Sequence, residues 1–84
     1  MRLDKFLKIT RIIKRRTIAK EACDSGRIMI NGTVAKAGTE VKTGDKLSIR
    51  FGSETRNVEI LKVLEVVKKD DADSMYREIG GDDE

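Results

Sequence analysis

The pair Asn31-Gly32 divides this chain into a stretch that reads as helix and a stretch that reads as sheet. Both residues accept positive φ, which a two-residue hairpin turn demands, and the pair is the strongest short-range hairpin signal a sequence can carry. The segment Arg27–Asn31 alternates before the turn, with Ile28 and Ile30 pointing one way and Met29 the other. Val34 begins the return strand. Whatever precedes the hairpin must therefore fold within 26 residues and pack on the face that Ile28 and Ile30 present.

Those 26 residues carry two helical periodicities. Leu3, Phe6 and Leu7 stand at i, i+3 and i+4 with Thr10 on the same face, so residues 3–10 read as a helix. Ile12 and Ile13 give an apolar turn. Residues 16–25 read as a second helix, with Ala19, Ala22 and Cys23 as its inner stripe and Ile18 beside it. Gly26 stands where a helix needs a left-handed residue to end. After the hairpin the period changes to two. Thr43-Gly44-Asp45 reads as a turn, and Leu47, Ile49 and Phe51 alternate with Lys46, Ser48 and Arg50. Gly52-Ser53-Glu54 is a further turn. Residues 56–67 read as a strand through Val58, Ile60, Leu64 and Val66, with Leu61 and Val63 out of phase, as at a bulge. Ala72, Met75, Tyr76 and Ile79 predict a short helix over 70–79, followed by the acidic tail 80–84. Phe6, Phe51 and Cys23 are expected in the core, and Tyr76 against the last helix.

The charge is segregated along the chain. Residues 1–50 hold 13 Lys/Arg and 5 Asp/Glu, and residues 51–84 hold 5 and 10. Eight of the first twenty residues are basic and only Asp4 is acidic. A field of one sign on one half repels itself without a partner and points to a polyanion. Arg15, Arg16 and Lys20 stand at the opening of the second helix, where free amides already carry partial positive charge. A phosphate at that end would relieve the repulsion.

The composition also excludes chemistries. With no histidine, Ser–His–Asp and Cys–His catalysis are impossible, and one cysteine permits no internal disulfide. Asp70, Asp71 and Asp73 sit where a helix would begin and favour its dipole without any metal. No apolar run reaches the roughly 20 residues of a membrane span, and the N-terminus lacks the pattern of a signal peptide. A non-enzymatic, cytoplasmic protein without cofactor is expected. Three aromatics in all, two of them expected to be buried, leave little for base stacking. Recognition then rests on phosphates and RNA shape.

The stretches R-L-D-K-F-L, K-R-R-T-I-A-K-E-A-C-D-S-G-R-I-M-I-N-G-T-V and K-T-G-D-K-L-S-I together resemble the S-four RNA-binding domain, also called the alpha-L motif. The resemblance covers residues 1–51. It implies an α+β fold in which two N-terminal helices pack on a small bent antiparallel sheet, with residues 1–67 as the RNA-binding domain and 68–79 as a helical extension. Arg2, Leu3 and Asp4 match the family's opening, Arg16 the arginine at the start of its second helix, Ala19 its packed alanine and Gly26 its helix stop. Arg15 departs from the pattern: many members have a capping Ser there, so a capping bond is lost and a cation gained.

The length and the ending K-K-D-D-A-D-S-M-Y are similar to the free-standing members that act in bacterial ribosome quality control. That likeness implies binding to stalled large ribosomal subunits through rRNA and tRNA, alongside an RqcH-type factor that adds alanine tails to stalled chains, with this chain as a monomer. The alternative it offers is a general RNA chaperone or assembly accessory of the heat-shock type. The RNA-binding residues expected are Arg2, Lys5, Lys8, Arg11, Lys14, Arg15, Arg16, Lys20, Arg27 and Lys36. Arg2 and the first helix are expected to serve one RNA surface, and Arg16 with its neighbours another. Asp4 is expected to face the first helix's dipole or to orient Arg2 or Arg16.

Overall fold

A computed structural model of the chain describes residues 1–64, 68, 71 and 74–79. The described residues form two helices, α1 (Leu3–Ile9) and α2 (Arg16–Asp24), and five strands, β1 (Ile28–Ile30), β2 (Thr33–Val34), β3 (Lys46–Phe51), β4 (Glu54–Ile60) and β5 (Tyr76–Ile79). The strands make one antiparallel sheet in the order β2-β1-β3-β4-β5. The expected α+β architecture, with two N-terminal helices on a small sheet, is what forms.

The helices cover one face of the sheet. Leu3, Phe6 and Leu7 of α1 and Ala19 and Cys23 of α2 are buried with Ile28, Leu47, Ile49, Val58 and Ile60. Each large apolar side chain removed from water there contributes about 1.5–3 kcal/mol. The connection from β2 to β3 has no regular structure beyond a single bridge, yet it adds Ala35, Ala37 and Val41 to the core. It also caps α1. Arg2 stands at the N-cap and makes no side-chain cap. Instead the amide of Leu3 donates to the carbonyl of Thr39 at 2.8 Å and that of Asp4 to Ala37 at 3.2 Å. Amides that a helix start normally leaves open are thereby satisfied by a distant loop. The N-terminal ammonium lies 3.6 Å from Glu40 in the same loop.

The two glycine-dependent turns form as the sequence implies. Asn31 (φ 52) and Gly32 (φ 86) make the two-residue hairpin between Ile30 and Thr33. Gly26 (φ 82) ends α2. Its amide donates to the Cys23 carbonyl and that of Arg27 to Ala22, both at 3.0 Å. Those two bonds satisfy carbonyls the last turn would otherwise leave free.

The helix expected over 70–79 is corrected at its end, because Tyr76–Ile79 is strand β5. Its start, at 70, 72 and 73, lies outside the described residues. The reason is tertiary pairing. Tyr76 to Ile79 pair with Ile60 to Asn57, and the ladder is laced by Arg56–Glu78 and Arg77–Glu59 ion pairs. A helix would leave that edge of β4 unpaired. Met75 is fully buried, as a core residue of either form would be. The strand expected over 56–67 stops at Ile60, where the amides of both Leu61 and Lys62 point at the carbonyl of Met75. Two donors on one acceptor take the chain out of register, as the misphased Leu61 suggested, while 65–67 lie outside the described residues. Phe51, expected in the core, is 38% exposed. It ends β3 beside the Gly52 turn and pairs with Glu54, past the cover of the helices. Ile18 is also exposed, on the outer flank of α2.

Gly26→Ala is expected to lower stability by about 1–2 kcal/mol. Nothing lies within 4 Å of the added methyl, so the loss is of backbone origin alone. Urea unfolding should show a lower midpoint with an unchanged slope, and Gly26→Asn a smaller loss than Ala.

Candidate nucleic-acid interface

The site is built around one buried carboxylate. Asp4 lies in the first turn of α1 with its side chain 3% exposed. A charge in that position costs several kcal/mol unless it is paired and hydrogen-bonded. Here it is both. Asp4 Oδ1 accepts from the amide of Lys5 at 2.8 Å and from Arg2 Nε at 3.2 Å. Oδ2 accepts from Arg2 Nη2 and from Arg16 Nε, both at 3.4 Å. Burial works to raise the carboxyl's pKa. The hydrogen bonds and charges of Arg2 and Arg16 outweigh it, and the carboxyl is held below its ordinary value.

The two arginine side chains remain 53% and 50% exposed. Asp4 takes one edge of each and leaves the rest of the planar fork facing solvent. The cluster carries two positive charges against one negative, so it stays cationic. Arg2 and Arg16, expected on separate RNA surfaces, thus converge on one carboxylate.

Other cations join from three elements. Arg15 is the N-cap of α2 and makes no side-chain cap, and no acidic residue stands in that helix's first turn. Lys20 is one turn beyond Arg16 on the same helix, and Lys8 one turn beyond Asp4 on α1. Lys36 opens the tight loop whose next carbonyl, that of Ala37, caps Asp4. The Arg2 guanidinium passes over Gly38 of that loop, 3.9 Å from where a Cβ would stand. Lys5 is half-buried on α1, and Arg11 and Lys14 are exposed in the connection to α2. Arg11 adopts a left-handed φ of 63 at the end of α1, a conformation that costs a non-glycine residue about 1 kcal/mol.

Arg27 is not part of this group. It follows the far end of α2, at least about 12 Å from Arg16 along the helix axis. There it stands beside Arg50, which the sequence marked only as the polar side of β3. Cys23 is fully buried and its thiol is pushed up to about 11, chiefly by burial. It packs as a small apolar residue and stays protonated at neutral pH.

The S4 domain model matches residues 1–47. The chain belongs to the S4 domain family. Arg2, Asp4, Arg16 and Lys36 all fall in the matched part. Over 76 residues the chain is 62% identical to a protein of Halalkalibacterium halodurans named RQC P-site tRNA stabilizing factor, covering 90% of this chain and 86% of that one. It is 54% identical to the Bacillus subtilis protein of the same name, again over 90% of this chain and 88% of the relative. Among solved structures, the trimeric heat shock protein 15 of Vibrio cholerae superposes with a TM-score of 0.85 at 29% identity. That match covers 96% of this chain and 83% of the other.

Asp4→Asn is expected to cost about 1–2 kcal/mol at neutral pH, since a buried charge-assisted cluster loses its charge. A lowered carboxyl pKa stabilises the fold above the unfolded value near 4, and that contribution disappears as pH falls through the folded value. The parent's thermal midpoint should therefore drop on acidification below about pH 4. The Asn variant should drop less over the same interval. Parallel acid limbs would show that Asp4 is not the group responsible.

Proposed function

We propose that this S4 domain protein is an RNA-binding factor of ribosome quality control. It associates with stalled large ribosomal subunits, touches rRNA and the P-site peptidyl-tRNA, and supports alanine tailing directed by an RqcH-type factor. The observation that carries this reading is the Asp4 cluster: two half-exposed arginines held side by side on one carboxylate, in a chain 62% identical to a P-site tRNA stabilizing factor. A guanidinium whose one edge is fixed loses less freedom when its other edge meets a phosphate. Arg2 and Arg16 make the directed contacts. Lys5, Lys8, Arg11, Lys14, Arg15, Lys20 and Lys36 neutralise phosphates more diffusely.

No bond is made or broken in this role. The protein adds binding energy to one tRNA position, acts in the cytoplasm and works as a monomer. Among the described residues no helix is long and apolar enough to cross a membrane. The acidic residues Asp82, Asp83 and Glu84 disfavour misplaced phosphates by charge repulsion.

Arg2→Ala and Arg16→Ala should each weaken co-sedimentation with tRNA-obstructed large subunits about tenfold, the loss of one charge-assisted contact. Circular dichroism should report a folded domain in both, because Asp4 keeps one arginine in each. Unchanged co-sedimentation of both variants would remove these residues from the interface. With about five phosphates neutralised, log affinity for duplex-like RNA should fall against log salt with a slope of roughly −3 to −5.

The similarity to heat shock protein 15 favours a second reading, a general ribosome-associated RNA chaperone or assembly accessory. A pull-down separates the two. A stabilising factor prefers tRNA-obstructed subunits over free ones, and a chaperone retains both alike.

A further inference from the structure

Arg2 and Arg16 share one carboxylate and hence one surface, so a factor that holds rRNA and tRNA together needs another. The sheet supplies it on the face turned away from the helices. Leu47 and Ile49 of β3 are buried toward α1 and α2, so Ser48 and Arg50 between and after them point the opposite way. Met29 is paired with both Val34 and Ser48, and Arg50 with Thr55. The amide of Arg50 donates to the carbonyl of Arg27 at 3.0 Å, which roots the two arginines side by side. Arg27, Met29, Val34, Ser48, Arg50 and Thr55 line an open groove of about 340 Å³, near the lower bound for ligand clefts.

Two observations give this groove a chemistry. Arg56 and Arg77 of the sheet each pair with a carboxylate, and Arg2 and Arg16 share Asp4. Among the described residues neither Arg27 nor Arg50 has such a partner. Their guanidiniums stand exposed in one concavity, where like charges repel until an anion enters. Beside them lies an apolar floor of Met29 and Val34, with Val34 at 51% exposure. Paired forks for phosphate oxygens beside an apolar floor suit an unstacked nucleotide: the phosphodiester meets the arginines, and the sugar or base face meets Met29 and Val34.

We infer that the Arg27–Arg50 groove binds a single-stranded segment of RNA by its phosphodiester, opposite the Asp4 cluster, so that one small domain clasps two RNA segments. This rests on the reading of the Asp4 cluster as an RNA surface and adds the second contact which that reading requires. RNA is favoured over an acidic protein segment because the other face of the same domain is already given to RNA.

The test uses the full chain and a fluorescent RNA hairpin with a single-stranded loop, at low salt. The number of RNAs per protein is read by sedimentation velocity. The parent should bind two. Arg27→Gln/Arg50→Gln should bind one, with its tighter affinity changed less than twofold and its thermal midpoint unchanged, since both side chains are exposed. Arg2→Ala/Arg16→Ala should lose the tighter of the two. The inference is overturned if the Gln variant still takes up two, or if the parent takes up one that only Arg2→Ala/Arg16→Ala weakens. It is overturned equally if poly-glutamate displaces the second RNA as well as oligouridylate does, which would assign the groove to acidic protein. A parent that binds no RNA would overturn the proposed function as well.

Discussion

A single carboxylate, removed from water and satisfied from three directions, organises the N-terminal half of this domain. Asp4 joins residues far apart in sequence: its side chain takes Arg2 and Arg16, and its amide takes the loop at Ala37. Without Arg16 the start of α2 would have no polar tie to α1. Without Asp4 two guanidiniums would stand together uncompensated. The arrangement resolves a conflict: RNA binding asks for concentrated positive charge, and folding penalises it. One buried anion between two cations lowers the local repulsion and leaves the outer edges of both forks for phosphate.

The same division of labour extends over the chain. Acidic residues of the first half are largely absorbed by structure. Asp4 holds the arginines, Glu40 faces the N-terminal ammonium, and Asp45 accepts from the amide of Lys42 and the side chain of Asn31 in the turn before β3. In the sheet beyond, Glu59 and Glu78 are taken by Arg77 and Arg56. The remaining two of the first half, Glu21 and Asp24, are exposed toward the far end of α2, away from Arg15 and Arg16 at its start. Segregated charge in the sequence thus becomes a cationic opening of α2 in the fold, with no acid in its first turn.

The parts legible in the sequence were those fixed by short-range chemistry. Asn31-Gly32 and Gly26 adopt the positive φ their residue types permit, and the stripes of α1 and α2 bury Leu3, Phe6, Leu7, Ala19 and Cys23. The family resemblance marked Arg15 as a lost cap, and it makes no side-chain cap in the fold. What escaped depends on distant partners. Tyr76–Ile79 has apolar residues compatible with a helix, but the open edge of β4 and two cross-strand ion pairs decide for a strand. Phe51 alternates correctly, yet the helices do not extend far enough to cover it. The concentration of cations was legible in the sequence, and their grouping was not. Helical spacing alone placed Arg2 and Arg16 on different elements, and only tertiary packing brings them to one carboxylate. Arg27 shares their charge and not their surface, since α2 separates its two ends.

The position of the N-terminal cluster has an energetic consequence for binding. The opening of α2 gathers Arg15, Arg16 and the positive end of the helix, with no acid in its first turn to offset them. Each such juxtaposition costs a few tenths of a kcal/mol or more in the free protein. A phosphate that arrives there removes the repulsion and adds its own attraction, so part of the binding energy is the release of strain already present in the fold. Arg11, held at left-handed φ on the same connection, adds backbone strain near the same face. A capping serine in place of Arg15 would stabilise the free domain by about 1 kcal/mol and remove one of these cations. On the proposed function, the chain gives up stability at the helix start for affinity toward a polyanion. That exchange is tolerable because the core beneath it, from Phe6 through Leu47 to Ile60, is closed.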